Sequence, residues 1–314
     1  MLDSIRDDRL VVVTGTGVSL HSLGYPSPET EIASWPGLLR HGLDHCLSLQ
    51  LITVDEAAIV ELQIKNGNTN YLIDAAQKIH DCLDKRDNAR YWWMKESIGQ
   101  LKVRNPSLIQ AIHKLNGLIA TLNYDSLLRE VTGRPSIHWR QQTEITKYLR
   151  SNSKEFVLHL HGQWEVPGSI VLDRKSYEEI SIDVKMQDLL RHFARFQTML
   201  FIGCGQTFFD PNFRTLLDWA HKALQGAEHR HFICCRQSEE PSILTALQPH
   251  GYLAPLVYGQ SYSDLTPFIE ALAEEGGASA ATANPSLAAS ARAGANKATK
   301  PLTPAELWKL QSQR

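Results

Sequence analysis

The segment "LVVVTGTGVS", residues 10–19, decides the fold class. Its first five residues form a continuous apolar, β-branched run, which is typical of a strand that is buried on both faces. Two glycines follow at once, Gly15 and Gly17, and they permit a tight turn into a helix. A strand that passes through a glycine turn into a helix predicts the first unit of an α/β protein.

Five further apolar runs occur along the chain, and each is followed by turn residues or by a helical pattern. They are "LIATL" (118–122), "FVLHLH" (156–161), "MLFIGC" (199–204), "HFICC" (231–235) and "PLVYG" (255–259). The runs are continuous rather than alternating, and helical patterns separate them. Together with the first run they predict an α/β fold with a doubly wound, mostly parallel sheet.

The gap between the first two runs is too long for one crossover helix. Over about residues 35–115 the pattern is helical throughout. "TVDE" at Thr53–Glu56 resembles a capping box, and Ala75, Ile79 and Cys82 fall on one face of a helix. This region therefore predicts an all-helical insertion that packs over the binding edge of the sheet.

Composition narrows the class of protein. With 314 residues and 43% hydrophobic content, the chain can bury a sizeable core. Its formal net charge is −2 and no block of Lys and Arg occurs, so we do not expect nucleic acid as a partner. It has no run of 18 apolar residues and no signal-like segment at its start, so we expect a cytoplasmic protein with no membrane partner.

The cysteines argue against a metal centre. There are five, Cys46, Cys82, Cys204, Cys234 and Cys235, and none forms a C-x-x-C pair. Since structural zinc sites are usually built from such pairs, we expect no metal ligands. Three of the five lie inside apolar runs, where a cysteine most often behaves as a small buried hydrophobe, and a redox role is the alternative.

The composition changes after about residue 275. Residues 276–302 are rich in Ala, Ser and Gly, which predicts a disordered linker behind a catalytic domain of residues 1–275. Residues 303–314 restart a helix, with Thr303 as cap and Pro304 at the first helical position. We interpret this as the start of a helix that leads to a downstream domain outside the chain.

The glycine turn after the first run has two possible explanations. Glycines let a backbone approach a phosphate closely, and the free amides of the following helix can hold it. However, Leu20 stands where the third glycine of the G-x-G-x-x-G pattern is expected. A plain tight turn therefore stays open.

Polar residues and glycines also follow three other runs. Asn123 and Asp125 come after the second run, His161 ends the third, and Gly203 and Gly205 flank the end of the fourth. The carboxyl ends of parallel strands meet at one edge of a sheet, so a single ligand can contact all of them.

The two histidines of the third run have different predicted roles. Alternation along a strand places His159 and His161 on the same face, with His161 at the tip. For His159 we favour a satisfied core histidine. Histidine titrates near neutral pH, so His161 is a candidate for exchanging a proton with a bound hydroxyl.

In this order the motifs resemble the sirtuin (SIR2) superfamily, most closely its bacterial SIR2-like branch found in anti-phage defence proteins. "GTGVS" (15–19) is similar to the glycine-rich NAD loop and "TLNYD" (121–125) to the T-x-N-x-D segment. "HLHG" (159–162) is similar to the catalytic His-Gly, and "IGCGQTFFDPNF" (202–213) to a "GxSxxDPxxR"-like element. The resemblance covers about residues 10–258 and implies a Rossmann-like sheet with a helical insertion.

The resemblance also implies the ligand and the roles of the site residues. NAD would be the substrate, and no metal would take part. Asn123 would orient the ribose or the attacking water, His161 would bond a ribose hydroxyl and act as base, and Asp125 would hold the carboxamide. The cofactor-binding set that it implies is Gly15, Thr16, Gly17, Ser19, Asp125, Gly203 and Gly205.

Two departures from the family favour one reaction. Sirtuin deacylases carry a zinc module with paired cysteines, but no cysteine occurs between His161 and Met199. Their "FGE"-type segment clamps an acyl-lysine peptide, but the corresponding region here is "SIVLDRKSYEEI" (169–180). The resemblance therefore implies an NAD+ glycohydrolase without a zinc module, which transfers ADP-ribose to water and depletes NAD in anti-phage defence.

Two alternatives remain open. One is an NAD-dependent protein deacylase, and the other is a non-catalytic sensor domain that binds NAD or ADP-ribose. For an NAD-depleting enzyme we further expect homo-oligomers and control by a downstream or separate sensor domain.

Overall fold

A computed structural model of the chain describes residues 1–24, 28–151, 153–205, 231–247 and 253–282. They contain a seven-stranded sheet in which all ladders are parallel, with the strand order β3-β4-β2-β1-β5-β6-β7. The strands are β1 Leu10–Thr14, β2 Leu118–Thr121, β3 Ser136–His138, β4 Val157–His159, β5 Thr198–Ile202, β6 His231–Arg236 and β7 Leu253–Gly259. The predicted doubly wound α/β fold is confirmed.

All six predicted runs form strands, but two details differ from the prediction. The sequence missed β3, a three-residue edge strand in which only Ile137 is a large apolar residue. The run predicted over 156–161 ends as a strand at His159. The chain turns at Leu160 and His161, and Gly162 closes the turn by donating its N–H to His159 O at 3.4 Å, with a positive φ of 84° that favours glycine.

The order of the strands turns at β1. Strand β2 lies on one side of β1 and β5 on the other, with Thr14 level with Thr121 and Ile202. On the β2 side, Thr121 is in turn level with His159 of β4. Such a reversal leaves a crevice at the carboxyl ends of the strands, where open α/β sheets bind their ligands.

The sheet is buried on both faces, which explains its continuous apolar runs. Every residue of β1 is buried, and Val12 belongs to one hydrophobic cluster while Val11 and Val13 belong to another. Successive side chains of a strand point to opposite faces, so each face has its own core. The first core joins β1 to the insertion, and the second joins it to the helices between β3 and β5.

Helices cover both faces of the sheet. In chain order they are α1 Leu2–Arg6, α2 Thr16–Ser22, α3 Pro28–Ala33, α4 Trp35–Ser48, α5 Val54–Asn66, α6 Thr69–Leu83, α7 Ala89–Glu96, α8 Ser107–Lys114, α9 Leu127–Thr132, α10 Gln142–Ser151, α11 Arg174–Ile182, α12 Val184–Phe196, α13 Glu240–Leu247 and α14 Leu265–Thr282. Short 3₁₀ helices lie at Ile98–Gln100, Pro167–Ser169 and Tyr262–Asp264. Among the described residues, no helix is long and apolar enough to cross a membrane.

The region predicted to be a helical insertion contains α4 to α8. The capping box at the start of α5 is present: Glu56 N donates to Thr53 Oγ1 (3.3 Å), and Thr53 N donates to Glu56 Oε2 (3.1 Å). The predicted inner face of α6 is buried, as shown by Ala75, Ile79 and Cys82. The helical pattern therefore predicted both the elements and their buried side.

Helix α14 continues through Thr282, so the first seven residues of the predicted linker are helical, while the domain boundary at residue 275 stays a prediction. Alanine favours helix, and a small residue lets α14 pack closely on α1. A Cβ at Gly276 would lie 2.6 Å from Ile5 Cγ2, so a larger residue there would require the side chain of Ile5 to shift. Residues 283–314 lie outside the described residues, together with the rest of the predicted linker and the helix start at Thr303.

Candidate active site

Three of the predicted site residues form one hydrogen-bonded network. Ser19, on α2, donates its hydroxyl hydrogen to Asp125 Oδ2 at 2.6 Å. Asn123 Nδ2 donates to Ser19 Oγ at 2.8 Å. Ser19 is thus the central residue that joins the segment after β2 to α2. The sequence placed Ser19 among the predicted cofactor-binding residues but did not predict its bonds to Asn123 and Asp125.

The amide of Asn123 has a defined orientation. Its Nδ2 donates to the carbonyl oxygen of Gly15 at 2.9 Å as well as to Ser19. A carbonyl oxygen only accepts, so the amide nitrogen must face it. The backbone N–H of Asn123 donates to Thr121 Oγ1 at 3.1 Å, which fixes the start of the side chain. The amide oxygen Oδ1 is therefore the atom that remains for a ligand.

Asp125 is buried and has a structural role. Besides its bond from Ser19, Oδ1 accepts from Leu127 N at 3.1 Å, at the first residue of α9. Burial raises the pKa of its carboxyl group, while the hydrogen bonds from Ser19 and Leu127 act in the opposite direction. The carboxylate thus ties the segment after β2 to α2 and α9. Its predicted contact with a carboxamide stays a prediction.

His161 lies in the turn after β4 and is only 4% exposed. Its ring is perpendicular to that of Tyr177 on α11, with 5.8 Å between the centroids. Its carbonyl oxygen accepts from Val171 N at 2.9 Å, and the hydroxyl of Tyr124 donates to Val171 O at 2.8 Å. The histidine is therefore held from the ring side and the backbone side.

His159 is a satisfied core histidine, as the sequence predicted. Its Nδ1 contacts Asn123 O at 3.0 Å and its Nε2 contacts Ser136 Oγ at 3.1 Å. The carbonyl only accepts, so Nδ1 carries the proton and Nε2 accepts from the serine. Burial lowers the pKa of His159 to about 4. The imidazole is therefore neutral at pH 7.

We expect His159 to make stability depend on pH. Its pKa is about 4 in the folded chain against 6.5 ordinarily, so the unfolded chain binds the extra proton first as pH falls. The stabilisation is complete above pH 6.5 and is lost between pH 6.5 and 4, by about 3 kcal/mol. Urea unfolding at pH 7 and at pH 4.5 measures this loss.

His159→Gln provides the control for that measurement. Glutamine keeps a donor and an acceptor but does not titrate in this range. Contributions from other histidines are common to both chains and cancel in the difference. If both chains lose the same free energy of unfolding between the two pH values, the titration does not belong to His159.

The glycines of the first turn pack against the end of β5. Gly17 N donates to Gly203 O at 2.9 Å, and a Cβ at Gly17 would lie 2.8 Å from Gly203 Cα. Gly203 has a φ of 67°, and its Cβ would lie 2.7 Å from Val18 N. Gly15 is equally close, since its Cβ would lie 2.7 Å from Gly203 O. These glycines are required by the contact between two turns.

The other predicted cofactor residues lie beside this contact. Thr16 is the first residue of α2 and is partly buried. Gly205 is exposed, and a Cβ there would have nothing within 4 Å. The rest of the fourth motif, from Gln206 onward, lies outside the described residues. Phosphate binding at these positions stays a prediction.

The sequence missed the residues that hold the segment after His161. Tyr124 lies between the two predicted polar residues, and Trp164 N donates to its carbonyl oxygen at 3.0 Å. Trp164 Nε1 donates to Ser126 Oγ at 3.0 Å, and Arg129 bonds both carboxylate oxygens of Glu165 at 2.7 and 2.8 Å. These bonds fasten the turn after β4 to the segment after β2.

The cysteines behave as buried hydrophobes. All five are free and buried. Cys204 lies under the first turn, with its sulfur 3.5 Å from Val13 O, and burial raises its pKa to about 12. In the part of the chain that the structure describes, no group of three or more His, Cys, Asp or Glu side chains is arranged to hold a metal ion.

One comparison with known proteins bears on this site. Residues 117–251 match the family model of the SIR2-like domain. The matched range begins one residue before β2 and includes Asn123, Asp125, His161 and the end of β5. It therefore contains the motifs that follow the second, third and fourth apolar runs, but not the glycine turn after the first.

Proposed function

Because the chain carries a domain of the SIR2 superfamily, whose members use NAD, we propose that the candidate active site hydrolyses NAD to nicotinamide and ADP-ribose. The observation that supports this most strongly is the fixed amide of Asn123. Its nitrogen is committed to Gly15 O and Ser19, so its oxygen is presented at the carboxyl edge of the sheet.

The chemistry of the bond explains why a fixed amide suits this reaction. Cleaving the bond between nicotinamide and ribose produces an oxocarbenium-like centre, and the nicotinamide leaves as a neutral molecule. The leaving group needs no general acid. The protein has to position the ribose and a water molecule and stabilise the developing positive charge. An acceptor that is already oriented does this without reorganising.

In this proposal, Asn123 Oδ1 accepts a hydrogen bond from the attacking water or the ribose. His161 bonds a ribose hydroxyl and accepts a proton, and its ring is steadied by Tyr177. Asp125 holds Ser19, which in turn holds Asn123. The carboxylate thereby acts as a positioning residue, whether or not it also contacts the carboxamide.

Water is favoured over an acylated peptide as the acceptor. The segment at the position of the peptide-clamping strand is fastened internally: Val171 N donates to His161 O, and Val171 O accepts from Tyr124. Two residues on, Asp173 caps α11 and pairs with the buried His80 of α6. The backbone groups of Val171 are therefore already used, and a peptide strand has to displace these bonds to pair there.

The test is to incubate the protein with NAD at a high protein concentration, which favours self-association, and to measure free nicotinamide and ADP-ribose by chromatography. The proposal predicts that both products appear in equal amounts without any peptide. A deacylase releases nicotinamide only when an acylated peptide is added. A sensor domain binds NAD but does not cleave it, so no nicotinamide appears. Either result would contradict the proposal.

We propose anti-phage defence as the setting, on the basis of the resemblance to the bacterial SIR2-like branch. An enzyme that depletes NAD harms its own cell when it is always active. Low activity at rest and activation through self-association or a sensor domain are therefore expected. A cell that expresses the chain without activation should keep its normal NAD level.

A further inference from the structure

Helix α5 of the insertion is apolar on its outer face as well as on its inner face. The inner face packs against α4 and α6 through Ala57, Val60 and Ile64. On the outer face, Ile59 and Leu62 are 61% and 66% exposed. No part of the described chain covers them. A helix that exposes large aliphatic side chains opposite its buried face is expected to meet a partner.

The outer face has a regular order along the helix. Asp55 comes first, then Ala58 with Ile59, then Leu62, and finally Lys65, in steps of three and four residues. This is the spacing of the seam between two packed helices. The apolar residues lie in the middle of the seam. The exposed carboxylate of Asp55 lies at one end. Lys65 lies at the other; its side chain is 64% exposed, and its Nζ is 3.8 Å from Glu61 Oε1 on the same helix.

We propose that this outer face of α5 is an interface with a second copy of the chain, in which the two α5 helices run antiparallel about a two-fold axis. In that arrangement Asp55 lies against the partner's Lys65, and the pair is repeated by symmetry. Ala58 and Ile59 lie against the partner's Leu62. A small side chain thus faces a large one in the middle of the seam.

The charges decide between the possible orientations. A parallel pair places Asp55 beside the partner's Asp55 and Lys65 beside the partner's Lys65, so like charges meet at both ends. The antiparallel pair replaces both repulsions by attractions. A surface that is complementary to itself in this way closes with two copies and does not extend into a fibre.

The size of the seam sets the strength of the interaction. Helix α5 has 13 residues and is therefore about 20 Å long. One helix pair of this length buries less than the area of about 1,200 Å² at which stable interfaces begin. We therefore expect a weak dimer whose population depends on protein concentration.

Analytical ultracentrifugation of the full chain tests this, from low micromolar to several hundred micromolar protein. The weight-average mass should rise from one chain toward two. Leu62→Glu should remain monomeric over the same range, since it buries a charge in the centre of the seam. Val184→Glu is the matched control, because Val184 is equally exposed, at 70%, but lies on α12. It should associate as the parent does.

Charge reversal tests the orientation. Asp55→Lys should weaken the dimer about tenfold, because it turns two weak attractions into repulsions. Adding Lys65→Asp to the same chain should restore the parent's association. A parent chain that stays monomeric throughout overturns the proposal and leaves the face to another occupant. Association of Leu62→Glu equal to that of the parent, or a double variant as weak as Asp55→Lys, also overturns it.

Discussion

Replacing Gly162 by alanine is expected to destabilise the protein by at least about 3 kcal/mol. Gly162 has a φ of 84°, a region that side chains rarely adopt, and it follows His161 directly. A Cβ there would lie 2.2 Å from Ser169 O, which is part of the backbone. Ser169 is fully buried, so it has no room to withdraw. Urea unfolding of the parent and the variant measures the difference.

Gly168→Ala is the matched control for this substitution. Gly168 lies in the same loop, its φ lies outside the left-handed region, and a Cβ there would have nothing within 4 Å. Alanine at this position should therefore leave the free energy of unfolding within about 0.5 kcal/mol of the parent. Equal effects of the two substitutions would show that the turn at Gly162 yields more easily than its geometry indicates.

The sheet could be predicted from the sequence because it is covered on both faces. Such strands need apolar side chains at every position, so the run at residues 10–14 is continuous and easy to recognise. Strand β3 has only three residues and lies at the edge of the sheet. A segment with one large apolar residue, Ile137, carries no such pattern, and it was missed for that reason.

The proximity of Asn123 and Asp125 to the first glycine turn could also be predicted, since parallel strands bring their carboxyl ends to one edge. The hydrogen bonds among these residues could not be predicted. Ser19 joins Asn123 to Asp125 only because α2 packs beside the segment after β2. The residues in this contact are more than 100 positions apart in the chain. Gly17 and Gly203 must both be glycine for a similar reason, because the two turns that carry them are in close contact although they are distant in sequence. Local sequence patterns predict the type of each element and its buried face, but they do not predict which turns contact each other in the folded chain.

The structure changes the physical reason for one expectation from the sequence. From the sequence, Gly17 was explained by the close approach of a phosphate to the backbone. A Cβ at Gly17 would instead collide with the backbone of Gly203, so Gly17→Ala should lower stability. Loss of NAD binding in that variant would not by itself locate the phosphate.

Asn123→Ala is expected to lower the rate of nicotinamide release at least a hundredfold while NAD still binds. The substitution removes Oδ1, the acceptor that the proposal assigns to the water or the ribose. Removing one preorganised polar group from a reacting centre typically costs this much. The bonds from Asn123 to Gly15 and Ser19 are lost as well. Quenched-flow or chromatographic rates at saturating NAD give the effect on turnover, and calorimetry gives the binding constant.

Two comparisons separate chemistry from architecture in that experiment. Ser19→Ala removes one tie but leaves Asn123 bonded to Gly15 O, so its rate should fall less than that of Asn123→Ala. His161→Ala should lose turnover as Asn123→Ala does. His159→Ala should lose stability, because it empties a buried site with two hydrogen bonds, but its folded fraction should keep turning over. If His161→Ala hydrolyses NAD as fast as the parent, His161 is not the base, and if Asn123→Ala does, the presented oxygen takes no part in catalysis.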